Sequence, residues 1–297
     1  MDLAVALTRT ALNAGSLVAP GLAGRASFFL FCNPLQRSRV REVERDVHRK
    51  AVVEELTVAG KKVVTYRWGD GRRPVLMLHG WQSRASRYAA FVPRLEALGL
   101  SPVSFDAPGH GDSGGKATTI LEYREIIGLL QERYGAFHSV IAHSFGVACA
   151  FLALRGGVKA ERLVAVSGVS DFQFLLDAFC EQLNLNGRLR ADLKRRIEQQ
   201  LFPSTPDLWE LFDAKVHTEQ ITLPILLIHD EDDPTVGIDE AYQLRDAYPG
   251  QAQLLVTQRL GHRKILGENA VLDNALGFLA PADGVPGEPA GEVSSPA

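Results

Sequence analysis

Three kinds of side chain that cooperate in acyl transfer occur in this chain, each at the end of a predicted strand. Residues 138–150 run HSVIAHSFGVACA, in which an apolar strand turns at Ser144 into a helix of small and apolar residues. Such a turn lifts the serine hydroxyl clear of the sheet, and small residues on either side, here Ala142 and Gly146, let strand and helix approach closely. The usual pattern is Gly-x-Ser-x-Gly, with Ala142 in place of the first glycine. The pattern predicts Ser144 as a nucleophile.

A serine hydroxyl needs a general base within hydrogen-bond reach, because it is a poor nucleophile at neutral pH. The candidate base is His262, which follows the predicted strand 253–257 and a short turn that contains Gly261. The alternative is a solvated loop histidine, since the chain has eight histidines. Its position after the last predicted strand favours the catalytic interpretation.

The candidate acid lies in a run of four acidic residues. The apolar run 224–229 is typical of a buried strand in a parallel sheet, and residues 230–233 (DEDD) follow it. The run lacks the ligand spacing of a calcium loop, although a solvated acidic turn is an alternative. Chemistry alone leaves the choice open; we predict Asp233, with Asp230 and Asp232 as alternatives.

The oxyanion of an acyl-transfer intermediate needs backbone donors. The buried strand 74–79 ends in His79-Gly80-Trp81, where glycine permits the turn that points the Trp81 N–H into the site. The second donor is the N–H of Phe145, directly after the nucleophile. We interpret His79 as a structural residue that braces this loop.

Five motifs in this order resemble the α/β-hydrolase superfamily over roughly residues 51–280. They are LHGW at 78–81, FDAPGHGDSGG at 105–115, AHSFG at 142–146, HDEDDPTV at 229–236 and GHRKIL at 261–266. The resemblance implies Ser144 as nucleophile, Asp233 as acid and His262 as base, in the chain order of that superfamily. One departure is Asp230, which stands where the family's acid loop usually begins with glycine.

The residue at the turn restricts the reaction that the resemblance implies. Dehalogenases and epoxide hydrolases of this superfamily carry aspartate there, whereas Ser144 favours acyl chemistry. We expect a carboxylesterase that needs no metal and no organic cofactor. The alternatives are a thioesterase or carbon–carbon bond hydrolase with the same residues, or a non-catalytic homologue that binds a small ligand.

Strands and helices alternate along the chain, which predicts an α/β-hydrolase fold with a mostly parallel sheet and helices on both faces. Antiparallel strands at 51–58 and 61–68 open the sheet, and the predicted helices include 84–97, 118–133 and 145–155. We expect four parts: an N-terminal helical or irregular arm at 1–50, the hydrolase domain at 51–280, a helical cap inserted at 169–222, and a disordered tail at 281–297.

Two sets of side chains in the predicted cap bear on substrate. The first is a basic run that we interpret as a solvated helix face, with an entrance for anionic substrates as the alternative. The second is an apolar set that we expect to line the pocket. The basic run is Arg188, Arg190, Lys194, Arg195 and Arg196; the apolar set is Phe172, Phe174, Phe179, Leu201, Phe202 and Trp209.

Composition restricts the partners. The net charge of −3 gives no electrostatic case for nucleic acid, so we expect a small-molecule acyl substrate. Three cysteines in apolar contexts indicate reduced, buried thiols and a cytoplasmic setting. No segment resembles a membrane span or a signal peptide. We expect the arm at 1–50 to pack on the domain, with peripheral membrane contact as the alternative, and the oligomeric state stays open.

Overall fold

The structure, a computed structural model, describes residues 3–280, so the tail predicted to be disordered, 281–297, lies outside the described residues. The described residues form one eight-stranded sheet with helices on both faces, which confirms the predicted fold class. The strands are β1 (Val52–Val58), β2 (Lys61–Arg67), β3 (Pro74–Leu78), β4 (Ser101–Asp106), β5 (Ser139–His143), β6 (Leu163–Val166), β7 (Ile225–Asp230) and β8 (Ala252–Thr257).

The α-helices connect and flank these strands. They are α1 (Leu3–Val18), α2 (Pro20–Cys32), α3 (Arg45–Arg49), α4 (Val92–Ala97), α5 (Ile120–Tyr134), α6 (Phe145–Arg155), α7 (Phe172–Gln182), α8 (Gly187–Arg196), α9 (Leu208–Leu211), α10 (Asp239–Ala247), α11 (Gly261–Lys264) and α12 (Asn269–Leu279). Short 3₁₀ turns at Glu42–Glu44, Ala85–Tyr88, Thr218–Gln220 and Ile265–Gly267, and a π turn at Ile197–Leu201, complete the described elements.

The strand order places the site. In space the order is β1-β2-β4-β3-β5-β6-β7-β8, in which β2 pairs antiparallel with β1 and β4, and all other pairs are parallel. The chain leaves β3 for β4 on one side and then returns to β5 on the other side. Such a switch opens a crevice at the carboxyl ends of the strands, where ligands of open α/β sheets bind.

Two apolar cores cover the two faces of the sheet. One contains side chains of α5 and α6 together with the helices between β6 and β7. The other contains side chains of α4, α12 and the turn Ala85–Tyr88. Strands β3 to β7 are buried along their whole length. The continuous apolar runs of the sequence therefore reflect burial on both faces.

The prediction of one helix at 84–97 is wrong for the first half of this segment. The segment instead forms the 3₁₀ turn Ala85–Tyr88 and the short helix α4, with Pro93 in the first turn of α4. Proline has no N–H to bond four residues back, so one helix cannot run through this position. The other predicted helices occur within two residues of their expected bounds, at α5 and α6.

The N-terminal arm is more regular than the sequence suggested. Helices α1 and α2 are joined through Ala19 and contact each other, and the pair is here called the hairpin. The second helix begins at Pro20, a residue suited to the first turn of a helix. The hairpin packs against α8, which belongs to the helices inserted between β6 and β7. None of the helices within residues 3–280 is long and apolar enough to cross a membrane.

Candidate active site

Ser144 sits at the apex of the turn between β5 and α6. Its backbone angles are φ 57° and ψ −125°, a conformation that costs free energy and that side chains other than glycine rarely adopt. Close packing maintains the turn, because a Cβ added at Gly146 would lie 2.4 Å from the Leu78 carbonyl oxygen. The strained turn at Ser144 therefore depends on Gly146, because only glycine allows the backbone to approach β3 so closely there.

The structure brings Ser144, His262 and Asp233 into one hydrogen-bonded chain. The Ser144 Oγ lies 3.0 Å from His262 Nε2, and His262 Nδ1 lies 2.8 Å from Asp233 Oδ2. Since the carboxylate accepts, Nδ1 carries the imidazole proton and Nε2 is free to accept the serine proton. This is the geometry that a serine nucleophile requires.

Asp233 is held as a carboxylate. Its side chain is buried, and burial by itself raises the pKa. Hydrogen bonds from His262 and from the backbone amides of Val236 and Thr235 outweigh burial, so the pKa of Asp233 is lowered from its ordinary value. An ionised, oriented carboxylate stabilises the imidazolium that forms when His262 takes a proton.

The other two aspartates of the acidic run shape the histidine loop. The buried Asp230 accepts hydrogen bonds from the amides of Leu260 and Gly261, at 3.1 and 2.9 Å. The exposed Asp232 accepts one from the amide of Arg259. Neither carboxylate contacts His262, so the geometry places Asp233, and not its two alternatives, in the orienting position.

The loop after β3 presents the second side of the site. A Cβ added at Gly80 would lie 2.7 Å from the Cβ of Ser144, so the loop passes directly against Ser144. Within residues 3–280 the backbone amides of Trp81 and Phe145 donate no hydrogen bond. Trp81 follows Gly80, which borders Ser144, and Phe145 follows Ser144 itself. These two amides are therefore available to an oxyanion.

Two buried histidines brace this loop. His79 Nδ1 donates to the Gly80 carbonyl oxygen at 2.8 Å, and its Nε2 accepts from the Ala107 amide. His110 Nε2 accepts from the amide of Gln82 at 3.1 Å. Burial lowers the pKa of His79 to about 4 and that of His110 to about 3, so both rings are neutral at physiological pH.

His143 is a site residue that the sequence analysis missed. It precedes Ser144, and its Nε2 donates to the backbone carbonyl of His262 at 2.7 Å. Its ring also packs on the His262 ring with centroids 4.7 Å apart. The contact joins residues 119 positions apart, so no local pattern indicated it. His143 holds the loop of His262 beside Ser144.

Gly80→Ala is expected to lower activity at least 100-fold, because the new methyl group displaces Ser144 or the donor loop, and a displacement of about 1 Å costs that much. The measurement is kcat/KM for an ester substrate, together with the free energy of unfolding in urea.

Gly128→Ala is the matched control, since nothing lies within 4 Å of its added Cβ in α5. The control should keep full activity and gain about 0.5–1 kcal/mol of stability. Full activity in Gly80→Ala would refute the loop's role.

Acid is expected to destabilise the fold through its buried histidines. Burial lowers the pKa of His79 to about 4, and of His110 and His143 to about 3. Below about pH 6.5 these histidines bind protons in the unfolded chain, whereas the same rings stay neutral in the folded protein. Their contribution to the free energy of unfolding is therefore complete above that pH and is lost as the pH falls toward 4 to 3. Each histidine costs about 2 kcal/mol at pH 5. Glu240, whose pKa burial raises, offsets a part.

Urea unfolding at pH 7 and at pH 5 measures this effect. His143→Phe removes one of the three rings with the lowest pKa values and should reduce the loss of stability between pH 7 and pH 5 by about 2 kcal/mol, by the same linkage. Equal free energies of unfolding at the two pH values would contradict the assignment of neutral, buried histidines.

The inserted helices are tied to the body at both ends. Glu240 accepts hydrogen bonds from the amide and the hydroxyl of Ser170, at 2.8 and 2.7 Å. Lys215 donates to Ser170 Oγ and to Asp171, and Ala214 N–H donates to the Ser170 carbonyl oxygen. The entry and the exit of the insertion are thereby joined.

The apolar side chains of the inserted helices differ from the expectation, whereas Arg188, Arg190, Lys194 and Arg195 are exposed, as expected for a solvated helix face. Phe172 and Phe202 are buried and pack on each other and on Phe212, so they form the apolar core of the insertion. The basic run on α8 is engaged within the protein, which does not support the alternative of an open anionic entrance. Arg188 bonds Ser16, Arg190 pairs with Asp177, Arg195 and Arg196 pair with Asp192, and Lys194 lies over the Trp209 ring.

A comparison with known protein families agrees with the fold described above. Residues 75–272 match the Alpha/beta hydrolase family, and this chain belongs to that family. Among curated proteins, the monoacylglycerol lipase of Mycolicibacterium smegmatis is 30% identical over 100 residues. That match covers 30% of this chain and only 36% of the lipase.

Solved structures share the fold at low sequence identity. An esterase of Pyrococcus furiosus, Pf2001, has a TM-score of 0.62 at 22% identity, covering 83% of this chain and 95% of that one. The monoacylglycerol lipase of Paleococcus ferrophilus has a TM-score of 0.57 at 21% identity, covering 73% and 98%. Mouse alpha/beta hydrolase domain-containing protein 10 has a TM-score of 0.58 at 16% identity, covering 77% and 97%.

Proposed function

We propose that this protein is a serine hydrolase that cleaves carboxylic esters through an acyl-enzyme on Ser144. The observation that carries the proposal is the hydrogen-bonded chain from Ser144 through His262 to Asp233, with distances of 3.0 and 2.8 Å. Family membership supports hydrolysis, and the strained turn at the serine supports its role as nucleophile.

The first half of the proposed reaction forms the acyl-enzyme. Ser144 Oγ attacks the ester carbonyl while His262 Nε2 takes its proton, and the carbonyl oxygen becomes an oxyanion. The amides of Trp81 and Phe145 donate to this oxyanion, an interaction that contributes about 3 kcal/mol per donor. The tetrahedral intermediate then collapses, and His262 gives its proton to the leaving alkoxide.

The second half repeats these roles with water. His262 removes a proton from water, the hydroxide attacks the acyl carbon, and the carboxylic acid leaves as the proton returns to Ser144 Oγ. Asp233 stays ionised throughout and stabilises the imidazolium in both halves. In the proposed reaction, every step uses only these side chains, the two backbone amides, the ester and water.

The proposed substrate is an ester with an apolar acyl chain, of which monoacylglycerol is the first to test. One observation supports this choice: the matched relative from Mycolicibacterium smegmatis is a monoacylglycerol lipase.

We also propose a reducing, cytoplasmic compartment. Cys32, Cys149 and Cys180 are free and buried, and burial raises the pKa of each thiol. Free thiols of this kind are typical of reducing compartments.

The test is a panel of matched substrates with the same acyl chain. Monoacylglycerols and p-nitrophenyl esters from two to sixteen carbons would be compared with the corresponding thioesters. The proposal expects kcat/KM for the esters to rise with chain length and to exceed that for the thioesters. Preference for thioesters would favour the thioesterase alternative. Saturable binding without any turnover would favour a ligand-binding homologue and overturn the proposal.

A further inference from the structure

The hairpin of α1 and α2 exposes a continuous apolar face. The side chains of this face, here called the hairpin face, are 54 to 89% exposed. They are Leu3, Leu7, Leu17, Val18, Leu22 and Phe29. An apolar surface of this kind on a soluble domain is typical of a contact site with a partner or a lipid surface.

Helical spacing puts these side chains on the outward side of both helices. In α1, Leu3, Leu7 and Val18 recur at intervals of four and eleven residues, and in α2, Leu22 and Phe29 lie seven apart. Leu12, Ser16, Ala23 and Ser27 are buried on the inner side. The hairpin therefore has two apolar sides: the inner side is buried against the protein, and the outer side faces solvent.

Within α1 and α2 the charged residues are arginines. Between Leu3 and Cys32 the sequence contains Arg9 and Arg25 and no acidic residue. Arg25 is exposed, lies three residues after Leu22 and four before Phe29 on α2, and forms no ion pair within residues 3–280. The arginines of α8, by contrast, are paired with Asp177 and Asp192. Arg25 thus places an unpaired positive charge beside the apolar face.

The hairpin is firmly held on the inserted helices. Asn13 accepts from the amide of Asn186 at 2.9 Å, and Asn186 donates to Ser16 Oγ at 2.8 Å. Phe31 packs edge-on against Phe179 at 5.4 Å. The hairpin therefore presents its outward face from a fixed position, directly against the helices inserted between β6 and β7.

We propose that the hairpin face docks this protein on an anionic phospholipid surface. Apolar side chains on a helix enter the headgroup and acyl boundary, and neighbouring arginines contact the phosphates. A second copy of this chain fits less well, because pairing two such faces would bring arginines of like charge together. This docking, if the proposed function also holds, would keep the site close to esters dissolved in the lipid.

Co-sedimentation with vesicles tests the proposal directly. The probes are vesicles of phosphatidylcholine alone and of phosphatidylcholine with 30% phosphatidylglycerol, at low salt and at 0.5 M salt. The Ser144→Ala protein is used, so that binding is measured without turnover and is independent of the proposed function. The expected result is strong binding to the anionic vesicles, weak binding to the neutral ones, and loss at high salt.

Variants separate the apolar and the charged contributions. Leu7→Glu, Val18→Glu and Phe29→Glu together should weaken binding at least 100-fold, since each side chain contributes a factor of about ten. Val53→Glu, Leu98→Glu and Tyr242→Glu are the matched control, with the same charge change at exposed apolar positions elsewhere. The control should bind as the parent does. Arg25→Gln should weaken binding about fivefold.

Two results would overturn the proposal. One is equal sedimentation of the hairpin variant and its control. The other is a dimer in analytical ultracentrifugation that the hairpin variant abolishes, together with no binding to either kind of vesicle. Circular dichroism of each variant verifies folding before the comparison. Activity on a soluble short-chain ester, measured in the background with Ser144 intact, should be unchanged by the hairpin variant.

Discussion

Ser144→Ala is expected to lower kcat for an ester substrate by a factor on the order of 10⁵ or more, with no loss of fold. The variant removes the atom that would form the proposed covalent bond, and the proposed oxyanion donors, the amides of Trp81 and Phe145, would alone give only residual catalysis. Stability should change little, because alanine fits the space of serine and meets the same backbone strain at φ 57°. The measurement is the steady-state rate at saturating substrate, beside thermal unfolding.

Ser167→Ala is the matched control for this variant. Ser167 also has a positive φ, of 45°, and is buried, and its hydroxyl makes no hydrogen bond within the described part of the chain. It follows β6, the strand beside β5. The control should keep the parent's kcat. More than one per cent of parental activity in Ser144→Ala would contradict the role of Ser144.

Asp233→Asn is the second large effect, with an expected loss of about 10⁴-fold in kcat. The amide no longer stabilises the imidazolium, and its NH₂ group favours the wrong tautomer of His262. Because the Oδ1 of Asp233 also accepts from the amides of Thr235 and Val236, the loop should keep its position. A pH–rate profile measured with the same ester gives both the magnitude and the changed titration.

Asp232→Asn tests whether the effect belongs to the position and not to the acidic run. Asp232 is exposed and lies one residue away, and within residues 3–280 its side chain bonds only the amide of Arg259, through Oδ2. Its kcat should stay within a few-fold of the parent. If Asp232→Asn were as inactive as Asp233→Asn, the assignment of the orienting acid would be wrong.

Much of the fold follows from local sequence. The apolar runs at β3, β5 and β7 are continuous because each strand is buried on both faces, and their order predicted the sheet. Ser144 was predicted for a related reason, since small residues flank it where strand and helix must approach. The break before α4 was missed, although Pro93 carries the physical cause in the sequence.

The acid and the base loop depended on contacts that no local pattern contains. Asp230, Asp232 and Asp233 have the same chemistry in sequence, and the loop after β8 decides among them. His143 acts through a carbonyl 119 residues away. The length of the N-terminal hairpin was likewise missed, because its helices are stabilised by α8 through tertiary packing more than by their own propensity.

Covalent labelling of the intact protein with a fluorophosphonate, followed by peptide mass spectrometry, tests the proposed role of Ser144 most directly. We expect a single adduct on Ser144, formed in step with loss of ester hydrolysis, and none in Ser144→Ala. Labelling of another residue, or a folded protein in which Ser144 stays unmodified while esters are still hydrolysed, would contradict that role.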